Sequence, residues 1–235
     1  MAQQLDLQEQ EQIDALKAFW NQYGNLITWV LTIGLALFAG YEAYLRYSQS
    51  QATAAGTLYG EMDKAVAETD ATRAAQVFGD MQKNYGHPFG LKFLPVPVYT
   101  VQAGLLTAKV QAEKGQADAA VRSLQWVAEN GDAQYAALAR LRLAGVLADQ
   151  KKYDEALSQL SAVNVPSFAS LVGDRKGDVL MARGDKEQAK AAYQAAWNGL
   201  EATAPYRTVI EAKLVALGAA PAASAPAGAA SGAAR

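Results

Sequence analysis

The chain has 235 residues, 51% of them hydrophobic and 19% charged, with a formal net charge of -2. Its 21 Lys and Arg against 23 Asp and Glu lack the basic excess of a nucleic-acid binder, so no nucleic acid is expected as a partner. Cysteine is absent and His87 is the single histidine, which excludes disulfides, thiolate metal sites, cysteine nucleophiles, lipid attachment through cysteine and zinc-binding His clusters. Ala fills 50 positions, a bias toward helices that approach closely, because Ala combines the highest helix propensity with a minimal side chain.

Residues 1–24 form an acidic tail in which Ile13, Leu16, Trp20 and Tyr23 recur at helical spacing. That spacing predicts a short amphipathic helix running to a membrane surface, and its acids argue against binding anionic lipid. Between Lys17 and Glu42 the chain carries no charge for 24 positions. Residues 26–45 would reach about 30 Å as a helix, the thickness of a bilayer's hydrocarbon core. Trp20, Tyr23 and Trp29 precede its middle, and Tyr41, Tyr44 and Tyr47 follow it, as interfacial aromatics do. Residues 25–47 are therefore read as a transmembrane helix in contact with the lipid bilayer. The acidic flank and the length argue for an uncleaved anchor over a signal peptide. Lys17 before the span and Arg46 after it tie, so charge leaves the orientation open. Ala36 and Gly40 form a small-xxx-small pair suited to helix packing in the membrane.

Residues 48–217 read as an α-helical repeat domain, which makes the fold class all-α, a single N-terminal transmembrane helix followed by an α-solenoid. Three segments align on small positions: Ala108 and Ala120, then Ala144 and Ala156, then Gly177 and Ala189. The first step between them is 36 and the second 33, with turns at Gly115, near Lys151 and Lys152, and at Gly184. The pattern resembles the tetratricopeptide repeat, in which a small residue on each helix of a pair permits a close crossing. Leu124, Leu160 and Tyr193 would fill the space beside those crossings. A degenerate unit is expected over residues 58–85, with Ala74 and Phe78 on its second helix. Residues 86–98 hold three prolines and cannot form a helix. They are either a packed loop or an exposed apolar binding loop, and packing is favoured, since Phe89, Phe93, Leu94 and Val96 would be costly to expose together. A helix over about residues 206–217 would cap the array, and the Ala/Pro-rich residues 218–235 are expected to be disordered.

No catalytic or phosphate-binding motif is present, so neither enzyme activity nor a cofactor is expected. His87 stands beside Pro88 with no carboxylate near it in sequence. The charged run Asp174, Arg175, Lys176, Gly177, Asp178 reads as the solvated face of a helix. Arg142 and Arg175 lie 33 apart, each two positions before a small residue, so they should occupy equivalent sites on neighbouring first helices. Together with Leu138 they are candidate partner-binding residues, able to hold a carboxylate or backbone carbonyls of an extended partner. An intramolecular pair with a nearby acid is the alternative use of each arginine.

The segments EQIDALKAFWNQYGN (11–25), LRLAGVLADQKKYDEAL (141–157) and GDRKGDVLMARGDKEQAKAAYQAAW (173–197) carry a resemblance to the YfgM family of Gram-negative bacteria. The resemblance implies a single-pass inner-membrane protein with a cytoplasmic N-terminus and a periplasmic repeat domain. It further implies a non-catalytic ancillary subunit of the SecYEG translocon that accompanies the periplasmic chaperone PpiD and assists the hand-over of unfolded exported proteins. A structural adaptor in cell-envelope assembly or cell division would share the same architecture.

Overall fold

The computed structural model describes residues 7–87, 91 and 95–219. Among them every regular element is helical: α1 (Leu7–Ala67), α2 (Ala71–Tyr85), α3 (Val98–Glu113), α4 (Ala117–Asn130), α5 (Ala133–Asp149), α6 (Tyr153–Ser161), α7 (Ala169–Arg183), α8 (Lys186–Asn198) and α9 (Arg207–Ala216). The chain divides into two compact units between Thr53 and Ala54.

The first unit is the leading part of α1, an uninterrupted helix through residues 24–25 and 47–48, where sequence analysis sets the limits of the span. No proline interrupts this stretch, and the polar residues at 48–51 are accommodated within the helix, Ser48 Oγ donating to Leu45 O at 2.9 Å. Leu26, Trp29, Leu35, Leu37 and Phe38 are exposed, Leu37 to 70%. The helix is long and apolar enough to cross a membrane, with a mean hydropathy of 1.6 and none of its apolar window buried. The hydroxyls of the two threonines within residues 25–47 are satisfied internally: Thr28 Oγ1 donates to Gly24 O and Thr32 Oγ1 to Thr28 O, each at 2.7 Å. A hydroxyl bonded to its own helix asks nothing of a surrounding hydrocarbon.

The second unit begins inside α1. Ala55, Met62 and Ala65 are fully buried and pack with Ala74, Phe78 and Met81 of α2. Asp70 starts α2 by accepting from the N–H groups of Thr72 and Arg73, each at 3.0 Å. Three helical hairpins follow, α3 with α4, α5 with α6 and α7 with α8, and α9 closes against α8. Their cores are continuous: Trp126 packs against the clusters on both sides of it, and so does Leu157.

The six small positions are all buried, as are Leu124, Leu160 and Tyr193 beside them. At Gly177 the approach leaves no room for a side chain, since a Cβ there would lie 2.5 Å from Tyr193 Cδ1. The turn of each hairpin takes a left-handed residue: Gly115 at φ +72°, Lys151 at +62° and Gly184 at +99°. These positions repeat at the same steps of 36 and 33, so Lys151 holds a conformation its neighbours give to glycine. Lys151→Gly is expected to raise stability by about 0.5–1 kcal/mol, the relief of strain less the greater freedom of unfolded glycine. Urea unfolding of the two proteins measures this. Pro166–Phe168 forms a 3-10 turn that leads into α7, with Pro at its first position where no N–H is needed.

In the loop before α3, Val96 packs partly buried against the main core and Leu91 is 41% exposed. Phe89, Phe93 and Leu94 lie outside the described residues, as do residues 220–235 of the tail. The expected capping helix is present as α9, with Ile210 and Leu214 fully buried.

Candidate functional site

A groove of about 590 Å³ lies on the first helices of the three hairpins. Its aliphatic lining includes Leu138 and Leu141 of α5 and Leu171 of α7, and its charged lining Lys109, Arg142 and Arg175. The volume falls within the range of ligand-binding clefts. The 3.6-residue period of each helix sets this lining. Leu138 and Arg142 are four apart on α5, and Leu171 and Arg175 four apart on α7, so each pair shares one helix face.

The two arginines differ in what they already hold. Arg142 is exposed and makes no side-chain hydrogen bond or ion pair among the described residues. Arg175 pairs with Asp178 at 3.3 Å, across one helical turn, with half its side chain exposed. Asp178 already accepts from Lys213 Nζ at 2.6 Å and Tyr193 OH at 2.8 Å. The arginine is the longest of these contacts and is held least, as an exposed i,i+3 ion pair contributes little. Lys109 pairs loosely with Glu113 at 3.8 Å. Glu113 and Asp149 line the groove at the C-terminal ends of α3 and α5, where the helix dipole disfavours acids.

The structure thus brings Leu138, Arg142 and Arg175 into one groove. Ala36 and Gly40 belong to the first unit, where both are exposed and nothing lies within 4 Å of a Cβ placed on Gly40. Lys109 is the lining cation that motif reading passes over. Its distance in sequence from Arg142 equals that from Arg142 to Arg175, but it stands one position after its repeat's small residue instead of two before.

The charged run 174–178 departs from the solvated face expected of it. Asp174 is completely buried, accepting from Lys213 Nζ at 2.7 Å and Tyr206 OH at 2.6 Å. The reason is tertiary: Lys213 of α9 and Tyr206 just before it bring a cation and a phenol to α7 from 39 and 32 residues away. Burial, and then the Asp174 carboxylate, push the Tyr206 phenol up to about 12 from an ordinary 10.0. Tyr193 is raised too, by burial first and then by its bond to Asp178. A phenol with a raised folded value stabilises fully below pH 10 and loses that contribution as pH climbs through about 12. The stability gap between the native chain and Tyr206→Phe is therefore expected to narrow from pH 10 to pH 12. Trp197 fluorescence follows this, because Arg207 of α9 stacks on that ring at 3.9 Å. A gap constant with pH would contradict the assignment.

His87 Nε2 meets Asn130 Oδ1 at 2.6 Å, tying the start of the loop to the end of α4. Among the described residues no group of three or more His, Asp or Glu side chains is placed to hold a metal.

The family described as a tetratricopeptide repeat-like domain matches residues 17–219. A protein of Neisseria gonorrhoeae named "Ancillary SecYEG translocon subunit" is 30% identical over 210 residues, 88% of this chain and 96% of the relative. Proteins of the same name from Escherichia coli K12 and Haemophilus influenzae are 27% and 26% identical, over 80% and 81% of this chain and 86% and 89% of their own lengths.

Proposed function

The chain belongs to the YfgM family of tetratricopeptide-repeat-like ancillary SecYEG translocon subunits, and from that premise we propose that it is a non-catalytic, membrane-tethered translocon subunit. Residues 25–47 cross the inner membrane, residues 1–24 lie in the cytoplasm, and residues 48–217 work in the periplasm, followed by the tail 218–235. There the groove holding Leu138, Arg142 and Arg175 binds a partner, and the domain assists hand-over of unfolded exported proteins to the chaperone PpiD. The observation that carries this reading is Arg142, a guanidinium unpaired among the described residues and set among aliphatic side chains in an open groove. Its domain shares a helix, α1, with the membrane span. A tether raises the effective concentration of a weak binding surface near its target, so no chemistry and no nucleotide are required. Ala36 and Gly40 offer a face on which a translocon helix could approach closely, since small residues let backbones meet in lipid.

Tagged full-length protein extracted from membranes in mild detergent is expected to carry SecYEG subunits and PpiD with it. Recovery of a single envelope-assembly or division protein without translocon subunits would replace this function with that of an adaptor. Orientation has a direct test because the chain has no cysteine. A membrane-impermeant maleimide is expected to label Glu201→Cys in cells with a permeabilised outer membrane, and Glu11→Cys only after lysis. The reverse pattern would overturn the topology.

A further inference from the structure

Leu138 and Leu171 are separated in sequence by the same step of 33 as Arg142 and Arg175. All four side chains line the same groove. Each of the two first helices α5 and α7 therefore presents the same element, an aliphatic side chain and, one turn on, a guanidinium. One such element would be a surface arginine with a hydrophobic neighbour. Two in register on successive helices make a repeated reader, because a segment crossing both helices meets the same chemistry twice.

We propose that this groove recognises an extended segment of a partner protein bearing two acidic side chains three positions apart, each beside an aliphatic residue. The inference rests on the groove being the partner-binding surface proposed above and specifies what it binds. Charge complementarity selects the acids: Arg142 is without a partner among the described residues, and Arg175 is held by an i,i+3 pair to Asp178 Oδ2 at 3.3 Å with half its side chain exposed, while Lys213 and Tyr193 hold the other oxygen. Both guanidiniums can turn to a ligand at little cost. Lys109, tied only loosely to Glu113, adds a third positive site in the same lining.

The spacing follows from packing distances. Neighbouring helices lie about 8–10 Å apart, and an extended polyproline-type segment advances about 9 Å in three residues while returning its side chains to one face. Acids at positions one and four of such a segment would meet the two guanidiniums, and their aliphatic neighbours Leu138 and Leu171. A lone C-terminal carboxylate brings one charge and meets half of the reader. A basic segment is repelled by the two guanidiniums, Lys109 being offset by Glu113. Glu113 and Asp149, lining the groove at the ends of α3 and α5, repel an acidic segment that shifts along the helices and so hold its lateral position.

The test uses the full chain in detergent micelles and short fluorescent peptides read by anisotropy. The first peptide has two glutamates three apart, each followed by leucine, with its C-terminus amidated. Its controls replace glutamate by glutamine, replace glutamate by lysine, or leave only a free C-terminal carboxylate. The acidic peptide is expected to bind at least tenfold tighter than each control and to weaken as salt is raised. The double variant Arg142→Gln, Arg175→Gln is expected to lose at least tenfold for the acidic peptide alone, with unchanged circular dichroism. Equal binding of the glutamine peptide, indifference to the double variant, preference for the free carboxylate, or no binding at millimolar peptide would each overturn the proposal. The outcome separates from that of the membrane experiment. Co-isolation of the translocon with no acidic preference defeats this inference alone, and acidic preference with no co-isolation defeats the translocon function alone.

Discussion

Replacing Lys213 by methionine is expected to lower the unfolding free energy of the repeat domain by about 3 kcal/mol or more. The ammonium group is the cation shared by Asp174 and Asp178, at 2.7 and 2.6 Å, and Asp174 has no exposed surface. Without Lys213, Asp174 keeps a buried negative charge with, among the described residues, only the Tyr206 hydroxyl donating to it. A buried charge stripped of its counter-ion costs far more than the intact pair contributes, so the effect exceeds that of any surface ion pair in the chain. Most of the loss should appear as release of α9, because Asp174 lies on α7 and both donors precede or belong to α9. Adding Asp174→Asn to Lys213→Met is expected to recover much of the stability, since an amide needs no cation and still accepts from Tyr206. Urea unfolding of the single and double variants decides this. A single variant within about 1 kcal/mol of the native chain, the range of an exposed ion pair, would show that the network is not what fastens the cap.

A chain beginning at Ala54 is expected to keep the folded repeat domain and to lose partner association at native abundance by about a hundredfold or more. The cut follows the boundary between the two compact units and leaves Ala55, Met62 and Ala65 in place. A chain beginning at Ala71 is the informative contrast. It removes those three fully buried residues and uncovers Phe78 and Met81, at a cost of several kcal/mol for the lost packing. Thermal unfolding should separate the two truncations clearly, while capture of translocon partners should be poor for both. Full association by the Ala54 chain would remove the tether from the account.

The array was readable because its small residues have one physical use. A helix pair that crosses closely needs Ala or Gly at the contact, so Ala108, Ala144 and Gly177 announce the hairpins without any structure. All three turns were placed from the sequence, but only Gly115 and Gly184 signal a left-handed residue, whereas nothing in the residue type marks Lys151 as one. Leu138, Arg142 and Arg175 were legible as a group because repeats place equal steps on equal faces. Lys109 escaped because the first interval is longer by three, which moves it about one turn relative to the arginines. The buried network was not legible at all. Asp174 sits in a run of charges that looks solvated, and only the packing of α9 brings Tyr206 and Lys213 to it from distant parts of the chain. The long continuous helix was likewise hidden by polar residues at 48–51, which change the surroundings of a helix without ending it.

The groove on α3, α5 and α7, in a chain tethered through α1, is the proposed surface that meets the partner. Photo-crosslinking in native membranes tests it most directly, with a probe at Leu138 inside the groove and another at Glu155, exposed on α6 outside it. The expected result is adducts with translocon subunits or PpiD from Leu138, lost on Arg142→Glu with Arg175→Glu, and none from Glu155. Equal adducts from both positions, or Leu138 adducts indifferent to the charge reversal, would contradict it.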